Sequence, residues 1–121
     1  MAIDVLSATL LSRNAGVDAK TATVGTVINA ANTMELDLTG IKADKLMLLV
    51  KNTEGTTNVV TVAAGEFSQA SLGALAVTVA ATSGEQALVI DSARFKRASD
   101  GKISLSFEAG MTGSVSAFVL P

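Results

Sequence analysis

From residue 33 onward, apolar and polar side chains alternate along the chain with a period of two. Met34, Leu36 and Leu38 alternate with polar side chains, which is the pattern of a strand that buries one face. The segment 45–52 is more uniformly apolar, which is typical of a central strand covered on both faces. The pattern predicts seven strands, at residues 34–39, 45–52, 58–63, 75–80, 86–91, 102–108 and 114–120.

Small polar residues and single glycines separate these strands. The segment 53–57 predicts the turn of a hairpin, and Asp100-Gly101 is a strong hairpin signal directly before the strand at 102–108. The segment 92–100 is expected to be irregular or to form a single helical turn. Regular short strands with turn signals between them and no long helix are typical of a β-sandwich or a barrel.

Residues 1–32 lack this strict alternation. Val5, Leu6, Thr9 and Leu10 are placed to share one face of a helix, and the segment 23–30 is a candidate eighth strand. We interpret residues 1–32 as an arm; the alternative is a frayed terminus followed by one edge strand. The predicted fold is all-β: a single jelly-roll-like β-sandwich of about seven to eight antiparallel strands over residues 33–121, with an N-terminal arm.

Composition narrows the possible chemistry. The chain has 121 residues and a net charge of −2, which allows one domain and argues against binding a phosphate backbone. It contains no Cys and no His, so thiol nucleophiles, zinc-thiolate sites and the usual general base are excluded. With no Trp or Tyr and four Phe, it also lacks the aromatic surface on which bases and sugars stack. We therefore expect a structural or binding protein that needs no cofactor or metal.

The N-terminal residues do not have the pattern of a secretory signal. Asp4 is the first charged side chain, and Ser7 and Thr9 interrupt the apolar residues. Apolar runs stay far below the ~20 residues that a membrane span requires. The sequence predicts a soluble chain.

Two patterns are candidates for catalysis. Glu35 and Asp37 lie two apart on one face of a predicted strand, at a separation that paired-carboxylate glycosidases use. Ser99 and Lys102 match the Ser-x-x-Lys pattern of acyl-enzymes, but that motif needs a helix and the intervening Asp-Gly predicts a turn. We interpret the carboxylates as part of a solvated polar face and expect no catalytic residues.

Arg94, Lys96 and Arg97 form the one dense basic cluster in the sequence. A phosphate contact is one interpretation; a surface segment that forms ion pairs and meets an acidic partner is the one we favour. Phe95, which lies between them, is expected to close one end of the sandwich.

Two segments carry a resemblance to a known group of proteins. The run Leu46-Met-Leu-Leu-Val-Lys-Asn-Thr53, followed by Val59-Val-Thr-Val-Ala-Ala-Gly65, resembles small β proteins of tailed bacteriophages. Those proteins have a later segment of the form Asp/Glu-Ser-Ala-Arg-Phe-Lys, which residues 91–96 match here. They also end in strands with alternating apolar and polar residues, as this chain does over residues 103–120. The likeness covers about residues 33–120. It is a likeness to capsid decoration, or cement, proteins.

That resemblance implies a function and partners. Such proteins bind outside the assembled shell of the major capsid protein and stabilise it, and they often sit at symmetry axes. The resemblance therefore implies a non-enzymatic virion protein on the outer capsid surface and a homo-oligomer such as a trimer. From the charge, the aromatic content and the short apolar runs, we expect no contact with nucleic acid or membrane. The candidate partner-contact residues are Val5, Leu6, Leu10, Leu11, Arg94, Lys96 and Arg97.

Two other functional classes stay open. The same sandwich would suit a phage tail, head-fibre or adhesion module that binds host glycan. A small hydrolase would need a pocket with convergent carboxylates, for which Glu35 and Asp37 are the one candidate pair.

Overall fold

Two five-stranded sheets pack face to face. The computed structural model describes residues 2–39, 46–90 and 92–120. The strands are β1 (Ile3–Leu6), β2 (Ala8–Leu10), β3 (Thr26–Val27), β4 (Thr33–Asp37), β5 (Leu46–Asn52), β6 (Asn58–Val62), β7 (Leu75–Val79), β8 (Gly84–Ile90), β9 (Lys102–Phe107) and β10 (Gly113–Val119). Two short helices, α1 (Ala19–Ala22) and α2 (Ser92–Phe95), and a 3-10 helix (Ser68–Leu72) complete the elements.

The strand order confirms an all-β sandwich. The first sheet has the order β1-β4-β9-β6-β7, and the second has the order β2-β10-β5-β8, with β3 also paired to β10. The β1–β4 and β2–β10 pairs are parallel, whereas the other pairs are antiparallel as predicted. Both parallel pairs involve β1 or β2, which lie in the segment that we interpreted as an arm.

All seven strands predicted from residue 34 onward are present, with ends shifted by one or two residues. Lys45 and Asp91, at the ends of two of them, lie outside the described residues. The helical turn predicted within 92–100 is α2. Gly101 turns the chain at a φ of +72°, but this turn leads from α2 into β9, so the predicted hairpin at Asp100-Gly101 is wrong.

The core lies between the sheets and is formed by the inward face of each strand. Met34 and Leu36 of β4 and Leu105 of β9 meet apolar side chains of the second sheet, such as Leu48 and Val50. These side chains are almost fully buried, as strict alternation predicts. Phe95 is buried in the same cluster, so its side chain belongs to the core between the sheets.

The N-terminal residues form strands rather than the helix that we considered. β1 pairs with β4 in the first sheet, and after Ser7 the chain continues as β2 alongside β10 in the second sheet. Leu6 lies at this crossing and is buried in the core. So short a helix would be marginal alone, whereas an extended segment gains hydrogen bonds from two open sheet edges.

Residues 11–25 then cross the outer face of the second sheet, over β10. Ser116 and Phe118 of β10 are buried although they lie outside the core cluster between the sheets. The Leu11 amide donates to the Val119 carbonyl at 2.8 Å, and Lys51 Nζ donates to the Thr23 carbonyl at 3.0 Å. The eighth strand predicted at 23–30 is reduced to the two residues of β3.

A buried asparagine ties the two sheets together at one end. Asn52, the last residue of β5, donates through Nδ2 to the carbonyls of Thr56, Val79 and Ala80 at 3.0, 3.3 and 3.2 Å. Its Oδ1 accepts from the Glu54 amide at 3.1 Å. The side chain therefore holds the β5–β6 turn against the end of β7, which belongs to the opposite sheet.

Replacing Asn52 with Ala should lower the free energy of unfolding by about 3 kcal/mol, because it leaves several partly buried carbonyls and one amide without a partner. The measurement is urea denaturation followed by far-UV circular dichroism. Asn29→Ala is the matched control: Asn29 is exposed and its Oδ1 accepts one local bond, from the Ala31 amide. A loss for Asn52→Ala no larger than that of the control would contradict this role.

Candidate binding surfaces

The three basic residues of the 94–97 cluster each bind a different part of the fold. Arg94 donates to the carbonyls of Gly73 and Ala74, at 3.0 and 3.2 Å, and its guanidinium lies 4.9 Å from the centre of the Phe95 ring. Lys96 Nζ donates to the Leu38 carbonyl at 3.2 Å. These two cations stabilise loops of their own chain, and both donate hydrogen bonds within it.

Arg97 is the centre of an ion-pair network on the first sheet. It donates to Glu35 Oε2 at 2.8 Å and to both carboxylate oxygens of Asp100 at 3.0 and 2.8 Å. Lys102 Nζ lies 3.9 Å from Glu35 Oε1. The hydrogen bonds that Arg97 donates to Asp100 and Glu35 raise the pKa of Arg97, and the bonds that Asp100 accepts from Arg97 lower the pKa of Asp100.

Both carboxylates of the candidate pair, Glu35 and Asp37, accept hydrogen bonds from neighbouring side chains. Glu35 is held by Arg97, and Asp37 accepts from the Thr39 hydroxyl and amide at 2.7 and 2.9 Å. These bonds from Thr39 lower the pKa of Asp37, so it cannot keep the proton that a general acid needs near neutral pH. In residues 2–39, 46–90 and 92–120, no group of three Asp, Glu, His or Cys side chains is placed to hold a metal ion.

Ser99 and Lys102 belong to a turn, as predicted. The Ser99 hydroxyl donates to Glu66 Oε1 at 2.7 Å, and the Ser99 amide donates to the same oxygen at 2.9 Å. The Lys102 amide donates to Asp100 Oδ1 at 3.1 Å. The serine is therefore bound to a carboxylate and not to the lysine that an acyl-enzyme would require.

The two motif segments of the resemblance meet in space. The Gly65 amide donates to the Arg94 carbonyl at 2.8 Å. A Cβ on Gly65 would lie 2.3 Å from the Lys96 carbonyl oxygen, so only glycine allows this approach. The end of the first motif thus packs on the backbone of the second.

The N-terminal candidates are divided between core and surface. Leu6 is buried, whereas Leu10 is exposed and Val5 is 75% exposed. Ile3 is 55% exposed, and Val5 and Ile3 both border a cleft of about 390 Å³ with Glu35, Asp37 and Lys102. We call these five residues the N-terminal face.

Leu11 borders a second cleft, under the segment that crosses β10. This cleft has a volume of about 440 Å³ and is lined mainly by apolar side chains, including Val17, Met47 and Phe118. Sequence reasoning did not identify Met47 or Phe118 here. The uniformly apolar pattern of 45–52 was the available signal, because it predicted that β5 is covered on both faces.

The crossing segment fits β10 closely but imperfectly. Gly25 has a φ of +70°, and a Cβ there would lie 2.6 Å from Ser116 Oγ. The Ser116 hydroxyl is buried and has no hydrogen-bond partner among the described residues. An unpaired buried hydroxyl costs about 1–3 kcal/mol, so this contact is less stable than its burial suggests.

Comparison with known proteins gives no match: no protein-family model, curated protein or solved structure corresponds to this chain. In the part of the chain that the structure describes, no helix is long and apolar enough to cross a membrane.

Acid should destabilise the protein below about pH 4.5. Bonds from the Ser99 amide and hydroxyl lower the pKa of Glu66 from its ordinary value of 4.5, and Asp18, Asp37 and Asp100 are lowered likewise from 3.8. Because the unfolded chain takes up these protons first, the stabilisation is complete above the ordinary values and is lost as the pH falls through the native ones.

Ser99→Ala should make this acid-dependent loss smaller, since it removes one of the bonds that favour the charged Glu66. The measurement is the urea midpoint between pH 7 and about pH 3. Ser106→Ala, at an exposed serine of β9, is the control and should leave the pH dependence unchanged. A midpoint that stays constant down to about pH 3 would contradict the assignment.

Proposed function

We propose that this chain is a non-enzymatic virion structural protein that binds the outside of a tailed-phage capsid lattice and stabilises it. The observation that carries the proposal is the N-terminal face: exposed Ile3 and Val5, on a strand paired to the first sheet, beside the charges of Glu35, Asp37 and Lys102. Exposed apolar side chains with a charged border are typical of protein-protein contact sites.

The motif residues that carry the resemblance support it through their roles in the fold. Asn52 joins the two sheets, Gly65 permits a close approach to the backbone at Lys96, and Arg94 braces the loop before β7. The resemblance therefore includes residues that stabilise the packing of this chain, in addition to strand-forming residues.

The proposed mechanism is cross-bridging of neighbouring capsid subunits. The sandwich presents Ile3 and Val5 on a strand whose position is fixed by β4, so little conformational entropy is lost on docking. Lys102 and the carboxylates beside it give the contact its orientation. Many copies on one lattice, each binding weakly, together hold the expanded shell against internal pressure. The partner is the major capsid protein, and the location is the outer capsid surface.

The candidate contact residues divide by their accessibility. Val5 and Leu10 are available to a partner, and Leu11 borders the cleft under the crossing segment. Leu6 belongs to the core, so its contribution is to hold the strand in place. Arg94, Lys96 and Arg97 are engaged within the chain, and of these Arg97 lies nearest to the N-terminal face through Glu35.

The test is cosedimentation with shells assembled from the major capsid protein of the same phage, in expanded and unexpanded forms. We expect saturable binding to expanded shells at a stoichiometry that matches symmetry axes. Ile3→Ser combined with Val5→Ser should weaken this binding by roughly tenfold or more, because both side chains lose apolar contact.

Val27→Ser is the matched control, since Val27 is equally exposed but lies on β3 in the second sheet. It should bind like the unmodified chain. Absence of binding to either shell form would overturn the proposal, and a glycan array would then test the adhesion alternative. Binding that is equally weakened by Val27→Ser would overturn the choice of face.

A further inference from the structure

The edge strands of the two sheets differ in length, and therefore in how much unpaired backbone they present. β1, β2 and β3 are short strands of four, three and two residues, and β7 has five. β8 is an edge of the second sheet and has seven residues. In the described part of the chain β8 pairs with β5 alone. One side of β8 therefore presents backbone amides and carbonyls that can accept another strand.

β8 has few of the features that normally protect an edge. Its register with β5 is continuous over seven residue pairs, from Gly84 opposite Asn52 to Ile90 opposite Leu46, so no bulge interrupts it. It contains no Pro or Lys, and Glu85 is its one charge. Long, regular edge strands without such features are sites of strand-to-strand association.

The outward side chains of β8 are apolar at its far end. Val89 is 73% exposed and lies opposite Met47 of β5, and Ala87 is also exposed. Glu85 lies at the other end, 4.0 Å from Lys51 of its own chain. The centre of the edge is thus apolar and uncharged, and the charge at its end already has a partner.

We propose that β8 pairs antiparallel with β8 of a second copy of this chain, so that the second sheet continues across a twofold axis at Ala87. In this register all seven residues of β8 are paired, Ala87 lies opposite Ala87 of the second copy and Glu85 lies opposite Val89, so no like charges face each other. A second copy is favoured over an unrelated strand because this register pairs the whole edge with itself and opposes no like charges. This pairing is independent of the proposed capsid contact.

The size of the contact sets its strength. Seven residues of each copy take part, against about 20–30 a side in a standard stable interface. We therefore expect a weak dimer, with a dissociation constant in the micromolar range or above. A twofold pair closes at two copies, whereas the trimer implied by the resemblance would need a different contact.

Disulfide trapping tests the pairing, because the chain has no Cys and an introduced one is unique. Directly opposed residues on antiparallel strands have Cα atoms about 4.5–5.5 Å apart, within the range of a disulfide. Ala87→Cys, oxidised at high protein concentration, should give a disulfide-linked homodimer. Thr78→Cys, on the edge strand β7 of the other sheet, is the control and should give several-fold less product.

Sedimentation velocity supplies the second measurement. The unmodified chain should shift from monomer towards dimer as its concentration rises, and Ala87→Lys should remove the shift, since an edge lysine opposes strand pairing. Thr78→Lys should leave the shift intact. Both variants replace exposed side chains, so circular dichroism should show an unchanged fold for each.

Each outcome decides for or against the pairing. A disulfide formed only in a mixture of Ala87→Cys and Val89→Cys would support self-pairing with the twofold axis at Leu88 instead. A β8 crosslink no stronger than that of Thr78→Cys, a monomer at all concentrations, or a trimer unaffected by Ala87→Lys would each overturn the proposal. A monomer whose binding to capsid shells is lost in Ala87→Lys would assign the edge to a strand of the capsid protein.

Discussion

The hydrogen-bonding demand of β10 is the constraint on which the rest of the structure depends. β5 satisfies one side of β10 along its full length, and β2 and β3 satisfy the other side in turn. The segment between β2 and β3 covers the outer face, where Phe118 would otherwise meet water. The N-terminal quarter of the chain therefore completes the second sheet. Its pairing with β10 also fixes the positions of its exposed side chains.

This arrangement separates two surfaces with different chemistry. On the first sheet, β1 presents apolar side chains beside a network of ion pairs centred on Glu35 and Arg97. On the second sheet, β8 presents a continuous edge of backbone groups, and the side chains facing outward from it are mostly small or apolar. Under the two proposals, the first surface contacts the capsid shell while the second contacts a neighbouring copy.

The sequence was sufficient to predict the strands from residue 34 onward, because alternation reports directly which face is buried. It also predicted the buried Phe95 and the turn at Ser99, since both follow from local pattern. The N-terminal strands escaped prediction: residues 3–10 are too short to show a period of their own, and open edges of β4 and β10, which lie far away in sequence, decide their conformation. The hydrogen bonds from Arg94 and Lys96 to backbone carbonyls were not predicted either. A basic cluster has the same sequence whether its side chains bind the chain itself or face solvent.

The measurement that most directly tests this account is an electron cryo-microscopy reconstruction of expanded capsid shells saturated with the purified protein. The account predicts ordered density for the sandwich on the outer surface, with Ile3 and Val5 turned towards the major capsid protein. Shells without added density, or a sandwich docked through a face that leaves both side chains in solvent, would contradict it.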